Sequence, residues 1–440
     1  VDPNDLRILL ISPRGTFFSR EGNFARYVTG SREMRAILHY WNGVGAALPS
    51  VAALTPGRPA IRIIDENKEP IDFQQPWDIV GLTANTQQSY RAYEIAAEFR
   101  KRGSHVVMGG IHASVLPQET LGHVDTAIVG EAERTWERFI VDFARNTPRE
   151  IYRQEGTRHT DMSQIPLPRY DLLSRYAYPV VWIQVSRGCP HDCEFCLTST
   201  VYGRRHRHKT IAQTIREVRE VRKYWKRAQI GFADDNLFVS RSFARELVEA
   251  LRQENFTWFA QTDVGVAQDE EFLESLHKSG CRVLFVGFES VRQENLAGLD
   301  AHGWKAEQHA CYPELIDAIQ KHGIGVYGAF ILGLDHDDPS VVDETVDFIT
   351  RNHLLGAQIT LLTPSPGTRV RQRLEGDGRI LTNDWRLYTG WDAVVKHPDF
   401  EPGALEEALL RIYRSIYSPE RLRERMRHFR EIYEKLLGDS

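Results

Sequence analysis

The chain has 440 residues, 42% hydrophobic and 26% charged, enough for two or three domains with substantial cores. Its formal net charge of −5 gives no global reason to expect nucleic acid or an anionic membrane as a partner. No apolar run approaches the ~20 residues that span a bilayer. The opening stretch lacks a basic-then-apolar secretory pattern and the five cysteines are an odd number, which predicts a cytoplasmic, reducing setting.

Short apolar runs alternate with helical patterns over residues 1–147. The runs 6–12, 60–65, 78–83, 106–109 and 126–129 read as strands. Between the third and fourth, Tyr90, Tyr93, Ile95, Ala96 and Phe99 recur at helical spacing until Gly103 ends the run. Apolar strands separated by helices predict a doubly wound, Rossmann-like parallel sheet, with ligands at the carboxyl ends of its strands. Those ends carry Thr83, Asn85 and Thr86, then Gly109, Gly110 and His112, then Gly130 and Glu131. Paired glycines let a backbone approach a ligand closely, and hydroxyl and amide groups suit the polar edge of a large cofactor. His112 also reads as a satisfied loop histidine.

Residues 148–180, with Pro148, Pro166, Pro168 and Pro179, read as a connecting segment of which 167–173 docks. A second α/β register fills 181–365, with strands expected at 181–185, 229–233, 258–262, 283–288, 325–332 and 358–362. Thr210 with Gln213 forms a capping-box pattern, and Asp269 is placed to cap a helix that stops at Gly280. Six β/α units predict a partial (β/α)6 barrel with its active site at the strand carboxyl ends. The tail, 366–440, reads as mostly helical, with a packing or capping role.

Cys189, Cys193 and Cys196 follow the first barrel strand as Cys-x3-Cys-x2-Cys. A closed zinc site wants four ligands, which His191 or Cys281 would have to complete, and a simple iron–sulfur carrier also uses four. Three thiolates on a four-iron cluster leave one iron open. Later strand ends read Phe232-Ala233-Asp234-Asp235-Asn236, Gln261-Thr262 and Gly287-Phe288-Glu289-Ser290, and the fifth strand carries Gly328. Asp235 or Asn236 also reads as a helix N-cap. The basic run RRHRHK at 204–209 reads as a nucleic-acid patch or as part of the site, and the acidic overall balance disfavours the first.

This constellation resembles the radical S-adenosylmethionine (SAM) enzymes, and residues 1–147 resemble the cobalamin-binding domain of one branch of them. The resemblance implies a 4Fe-4S cluster on the three cysteines whose open iron holds SAM. It also implies SAM contacts from Phe195, Arg207, Asp234, Asp235, Asn236, Gln261, Glu289 and Gly328, and cobalamin contacts from the N-terminal strand ends, His112 included. The Asp-x-His-x-x-Gly signature of cobalamin mutases is absent, the nearest match reading Asp65-Glu66-Asn67. The resemblance therefore implies cobalt without a histidine below, or a domain that binds no cofactor. The implied reaction is reductive SAM cleavage followed by C-methylation of an unactivated carbon of a small molecule. The alternative is non-methylating ring closure, ring contraction or oxidation. An electron donor such as flavodoxin or ferredoxin is the implied partner.

Overall fold

A computed structural model of the chain describes residues 2–15, 23–32, 34, 43–154 and 159–438. Strands β1 (Arg7–Ser12), β2 (Ala60–Asp65), β3 (Ile79–Thr83), β4 (His105–Gly109), β5 (Thr126–Val129) and β6 (Ile151–Arg153) form one sheet in the order β2-β1-β3-β4-β5-β6. Every pairing is parallel. Both faces are covered, which is why the strands are apolar throughout. Ile8 and Leu10 pack with Trp136 and Phe139 of helix Ala132–Ala144 on one side. Leu9 and Ile11 pack with Tyr93 and Phe99 of helix Ser89–Arg100 on the other. The strand order reverses between β1 and β3, which opens a crevice at their carboxyl ends. Strand β6 lies inside the segment read as a connection; three residues are too short to show a period.

The second register begins with β7 (Val180–Ile183) and the short hairpin strands β8 (Ser186–Arg187) and β9 (Arg207–His208). It continues with β10 (Gln229–Phe232), β11 (Trp258–Thr262), β12 (Cys281–Glu289), β13 (Gly325–Leu332) and β14 (Gly356–Leu361). The six long strands run in the order β14-β13-β12-β11-β10-β7, all parallel and without reversal, so the sheet curls into a half barrel. Val181, Ile183 and Phe232 are buried toward the outer helices, while Trp182, Gln184 and Gln261 alternate to the inner face. Thr210 and Gln213 form their reciprocal capping box, and the Asp269 carboxylate accepts from the Phe272 N–H at 3.0 Å.

A half barrel has two open edges, and both are occupied. On the β7 side the backbone of Val44 forms a parallel bridge with Val181. On the β14 side the Tyr417 hydroxyl accepts from the Ala357 N–H (3.0 Å) and donates to its carbonyl (2.9 Å). Tyr413 does the same at Ile359, at 3.0 Å each way, and Leu361 N–H reaches the Gly390 carbonyl. No helix among the described residues is long and apolar enough to cross a membrane.

Candidate active site

The cysteine loop turns on Gly188, whose φ of +88° and position under the Arg205 carbonyl leave no room for a Cβ. Cys193 is buried, and Cys189 and Cys196 are partly exposed. Burial pushes the Cys189 thiol up to about 12 and raises Cys193 and Cys196 as well, with Asp235 and Glu289 among the nearby groups adding to the shifts. Thiols so placed ionise only when a metal compensates the charge. Among the described residues no three His, Cys, Asp or Glu groups converge on one point as a single ion requires. His191 is engaged by Asp263 at 2.8 Å, and Cys281 is fully buried in β12. Three soft donors on one loop, with no fourth ligand in place, fit a multi-iron cluster with an open corner better than zinc.

The strand ends around the loop divide into groups that face the mouth and groups spent on structure. Asp235 is open to the mouth and accepts from Thr198 at 2.6 Å. Asn236 donates to Asp263 (2.6 Å) and accepts from Thr262 (3.2 Å), which links the ends of β10 and β11. Glu289 sits at a register shift in β12 with φ +65°, and accepts from Lys305 at 3.0 Å. Bulges and left-handed backbone at a strand end re-aim a side chain at a cost in strain. Phe195 and Glu289 line a cavity of about 200 Å³ inside the barrel, together with Ala329, Ile331, Gln358 and Thr360. Gln261 lies on the inner face of β11.

Three residues expected at SAM are occupied elsewhere. Asp234 is fully buried, and its carboxylate takes the Val185 and Ser186 N–H groups and the Ser186 hydroxyl, fixing the start of the cysteine loop. Burial lifts its carboxyl to about 7 against those hydrogen bonds. Arg207 donates to both Glu131 oxygens (2.9 and 3.1 Å) and to the Thr160 carbonyl, so it ties the barrel to the N-terminal sheet. A Cβ on Gly328 would meet Phe330 at 2.7 Å and Phe288 at 3.2 Å; the glycine makes room for packing in the helical layer, not for adenosine. Sequence reading missed Lys305 and Asp263. Asp263 directly follows a barrel strand, the signal used for Asn236, whereas Lys305 carries no local signal and reaches Glu289 only through folding.

At the carboxyl ends of the N-terminal sheet, two adjoining cavities share Thr83, Gly45 and the first residues, Ala47 and Leu48, of helix Ala47–Ala53. The first, about 570 Å³, lies against Ser12, Asp65, Asn85 and Gln88. The second, about 280 Å³, runs between the two sheets from Gly109, Gly110 and Gly130 to Gln184, Arg187 and Lys209. Gly110 (φ +92°) would bring a Cβ within 2.7 Å of the Thr83 hydroxyl, and Gly130 (φ +84°) also needs the left-handed region. Backbone laid bare at glycines, with hydroxyl and amide groups beside it, fits the polar rim of a large cofactor such as cobalamin. Glu131 lines the inter-sheet cavity but is held by Arg187 and Arg207. Burial raises its carboxyl, and the two guanidiniums and the Thr160 N–H outweigh that and bring it down to about 2. Thr86 is buried beside Asn85 with an unpartnered hydroxyl. His112 does not join them: it is fully buried, its Nε2 lies 2.7 Å from the Tyr93 hydroxyl, and it lines neither cavity.

The Radical SAM superfamily profile matches residues 183–349. The chain is 29% identical over 388 residues to bacteriochlorophyllide d C-8(2)-methyltransferase of Chlorobaculum tepidum, covering 84% of this chain and 85% of that protein. It is 27% identical to hopanoid C-2 methylase of Rhodopseudomonas palustris, covering 82% of this chain and 71% of that protein. Among solved structures, the radical SAM methyltransferase TsrM of Kitasatospora setae, with cobalamin and a [4Fe-4S] cluster bound, superposes with a TM-score of 0.70. It covers 98% of this chain and all of that one at 15% identity, a likeness of fold. With the cysteine loop at the mouth of its half barrel, residues 183–349 form a radical SAM domain, and the doubly wound sheet before it gives the chain the overall fold seen in TsrM.

Proposed function

We propose that this enzyme methylates an unactivated carbon of a small molecule, using cobalamin carried by residues 1–147 and a cluster and SAM carried by 181–365. The observation that supports this most directly is the inter-sheet cavity. It puts the N-terminal strand ends and the residues beside the cysteine loop, Arg187 and Tyr202, on one shared space. Relatives of matching length named as methyltransferases favour methyl transfer over the non-methylating chemistries. When bound, the cluster supplies the electron that cleaves SAM, and cobalamin supplies the methyl group.

The chain's own residues hold and orient. Cys189, Cys193 and Cys196 are the three ligands. Phe195 offers an apolar face beside them, and Asp235 and Gln261 present polar atoms for SAM, while Asn236, buried and bonded through both amide atoms to Asp263 and Thr262, fixes the strand ends behind them. Lys305 pairs with Glu289 at 3.0 Å, and Glu289 lines the barrel cavity. Thr83, Asn85, Gly109, Gly110 and Gly130 form the cobalamin rim. The reading requires an external one-electron donor and a reducing compartment, the cytoplasm, in which the cysteines stay free.

The test is anaerobic purification, reconstitution with iron and sulfide, and visible spectra with and without cobalamin. Stoichiometric cobalamin retained in a form without a histidine lower ligand, cluster absorption lost in Cys193→Ala, and transfer of label from methyl-labelled SAM are expected. Unchanged 5′-deoxyadenosine formation by Cys193→Ala would sink the assignment.

A further inference from the structure

Lys305 is a buried cation, its side chain 6% exposed, and no step assigned above uses its charge. It belongs to a turn after β12 that is bonded to the cysteine loop on both sides of Cys193. The Glu194 N–H donates to the Leu299 carbonyl at 2.9 Å, and the Ala301 N–H donates to the His191 carbonyl at 3.0 Å. The Trp304 ring lies against the His191 ring, with centroids 4.8 Å apart. The Asp300 carboxylate closes the turn, accepting from the N–H groups of His302 (3.0 Å), Trp304 (3.1 Å) and Lys305 (3.0 Å).

From that turn the ammonium reaches back across the register shift in β12. It donates to the Gly287 carbonyl at 2.8 Å and to Glu289 Oε1 at 3.0 Å, one on each side of the shift. Glu289 is thereby held in its left-handed conformation, and its second oxygen makes no hydrogen bond among the described residues. The charge also reaches the cysteines. Burial raises the Cys193 thiol, and the Lys305 ammonium pulls it down by more than the Glu289 carboxylate pushes it up. Asp300 and the backbone bonds already brace the turn, so bracing does not account for a cation whose burial is costly.

We propose that Lys305 is a positioning residue that fixes Glu289 at the barrel mouth and raises the reduction potential of the group held by the three cysteines. The proposal rests on the cluster reading above. One electron passes from the external donor to the cluster; no bond forms or breaks. The reduced cluster carries one more negative charge, so a buried cation close to Cys193 stabilises it over the oxidised form. Glu289 acts in the opposite sense, and the turn sets the place of both charges relative to the loop.

The test is a redox titration of the reconstituted holoenzyme without SAM, followed by its cluster absorption, with SAM affinity measured separately by equilibrium dialysis. In Lys305→Met the midpoint potential should move to more negative values, and the Kd for SAM should rise on the order of tenfold. Glu289→Gln should move the potential the other way, and Lys305→Arg, which keeps the charge, should recover most of the wild-type value. Lys305→Met/Glu289→Gln strands no buried charge and keeps the test open if Lys305→Met fails to fold; its potential should lie below that of Glu289→Gln. An unchanged potential in Lys305→Met, or shifts of the same sign in Lys305→Met and Glu289→Gln, would overturn the proposal, since a merely loosened loop moves both alike. A double variant at the Glu289→Gln potential would overturn it equally. A wild-type protein that assembles no cluster from iron and sulfide would instead overturn the cluster reading, and this proposal with it.

Discussion

The half barrel meets its neighbours differently on its two flanks. At β7 the contact is backbone and charge. Val44 bridges Val181, and Glu131 and Glu133 from the N-terminal sheet take Arg187 and Arg207 around a cavity. At β14 the contact is hydroxyl and packing: Tyr413 and Tyr417 pair with the strand's free edge, and Leu405, Leu409 and Ile412 bury the rest of helix Pro402–Ile416. The tyrosine arrangement works because two periods nearly match. Four residues of helix advance about 6 Å, and two residues of strand advance about 6.6 Å. Two hydroxyls four apart therefore meet two outward-facing strand residues two apart. The β14 flank is scaffold, and the β7 flank keeps a space that charges frame.

The largest effect should come from breaking the β7 flank. Glu131→Gln leaves the Arg207 guanidinium without its carboxylate and Arg187 with Glu133 alone, and should cost roughly 3–5 kcal/mol in chemical denaturation. Because folded Glu131 holds its proton less tightly than the ordinary 4.5, its stabilisation is complete above about 4.5 and is lost as pH falls toward 2. The variant should lose that part of the pH dependence, while the tyrosine flank, whose hydroxyl pKa values burial raises, stays neutral throughout.

Tyr413→Phe tests the other flank. It strands a buried N–H and carbonyl at Ile359 and should cost about 2 kcal/mol, leaving cobalamin affinity in an equilibrium binding assay unchanged. Loss of cobalamin affinity in Tyr413→Phe would show that the two flanks are not independent. The smallest effect is expected for Val44→Pro, which removes the N–H donated to the Val180 carbonyl and should cost about 1 kcal/mol. That variant should weaken cobalamin binding more than stability, since Val44 lines the larger cavity.

Much of this was legible before folding. The cysteine spacing is local, so three thiols within eight residues predict a shared ligand whatever surrounds them. The apolar runs at 6–12, 60–65 and 126–129 are strands because both faces of a parallel sheet are buried, which leaves an unbroken hydrophobic run in the chain. Residue type and position at a strand end also placed Asp235, Asn236 and Glu289 at the barrel mouth.

Pairing was not legible. Arg207 and Asp234 have side chains suited to SAM, yet one closes on Glu131, 76 residues away, and the other on the backbone at Val185 and Ser186, 48 to 49 residues away. Lys305 is an unremarkable basic residue until folding sets it beside Glu289. Gly328 and the tyrosines of the last helix likewise take their roles from neighbours in the packed layer. The sequence by itself determined which chemical groups this protein has and which strands carry them, because those depend on residue type and short-range period. Which groups remain free for a ligand was decided only by tertiary structure, because a charge buried on folding must be neutralised by whatever partner the packing brings within reach.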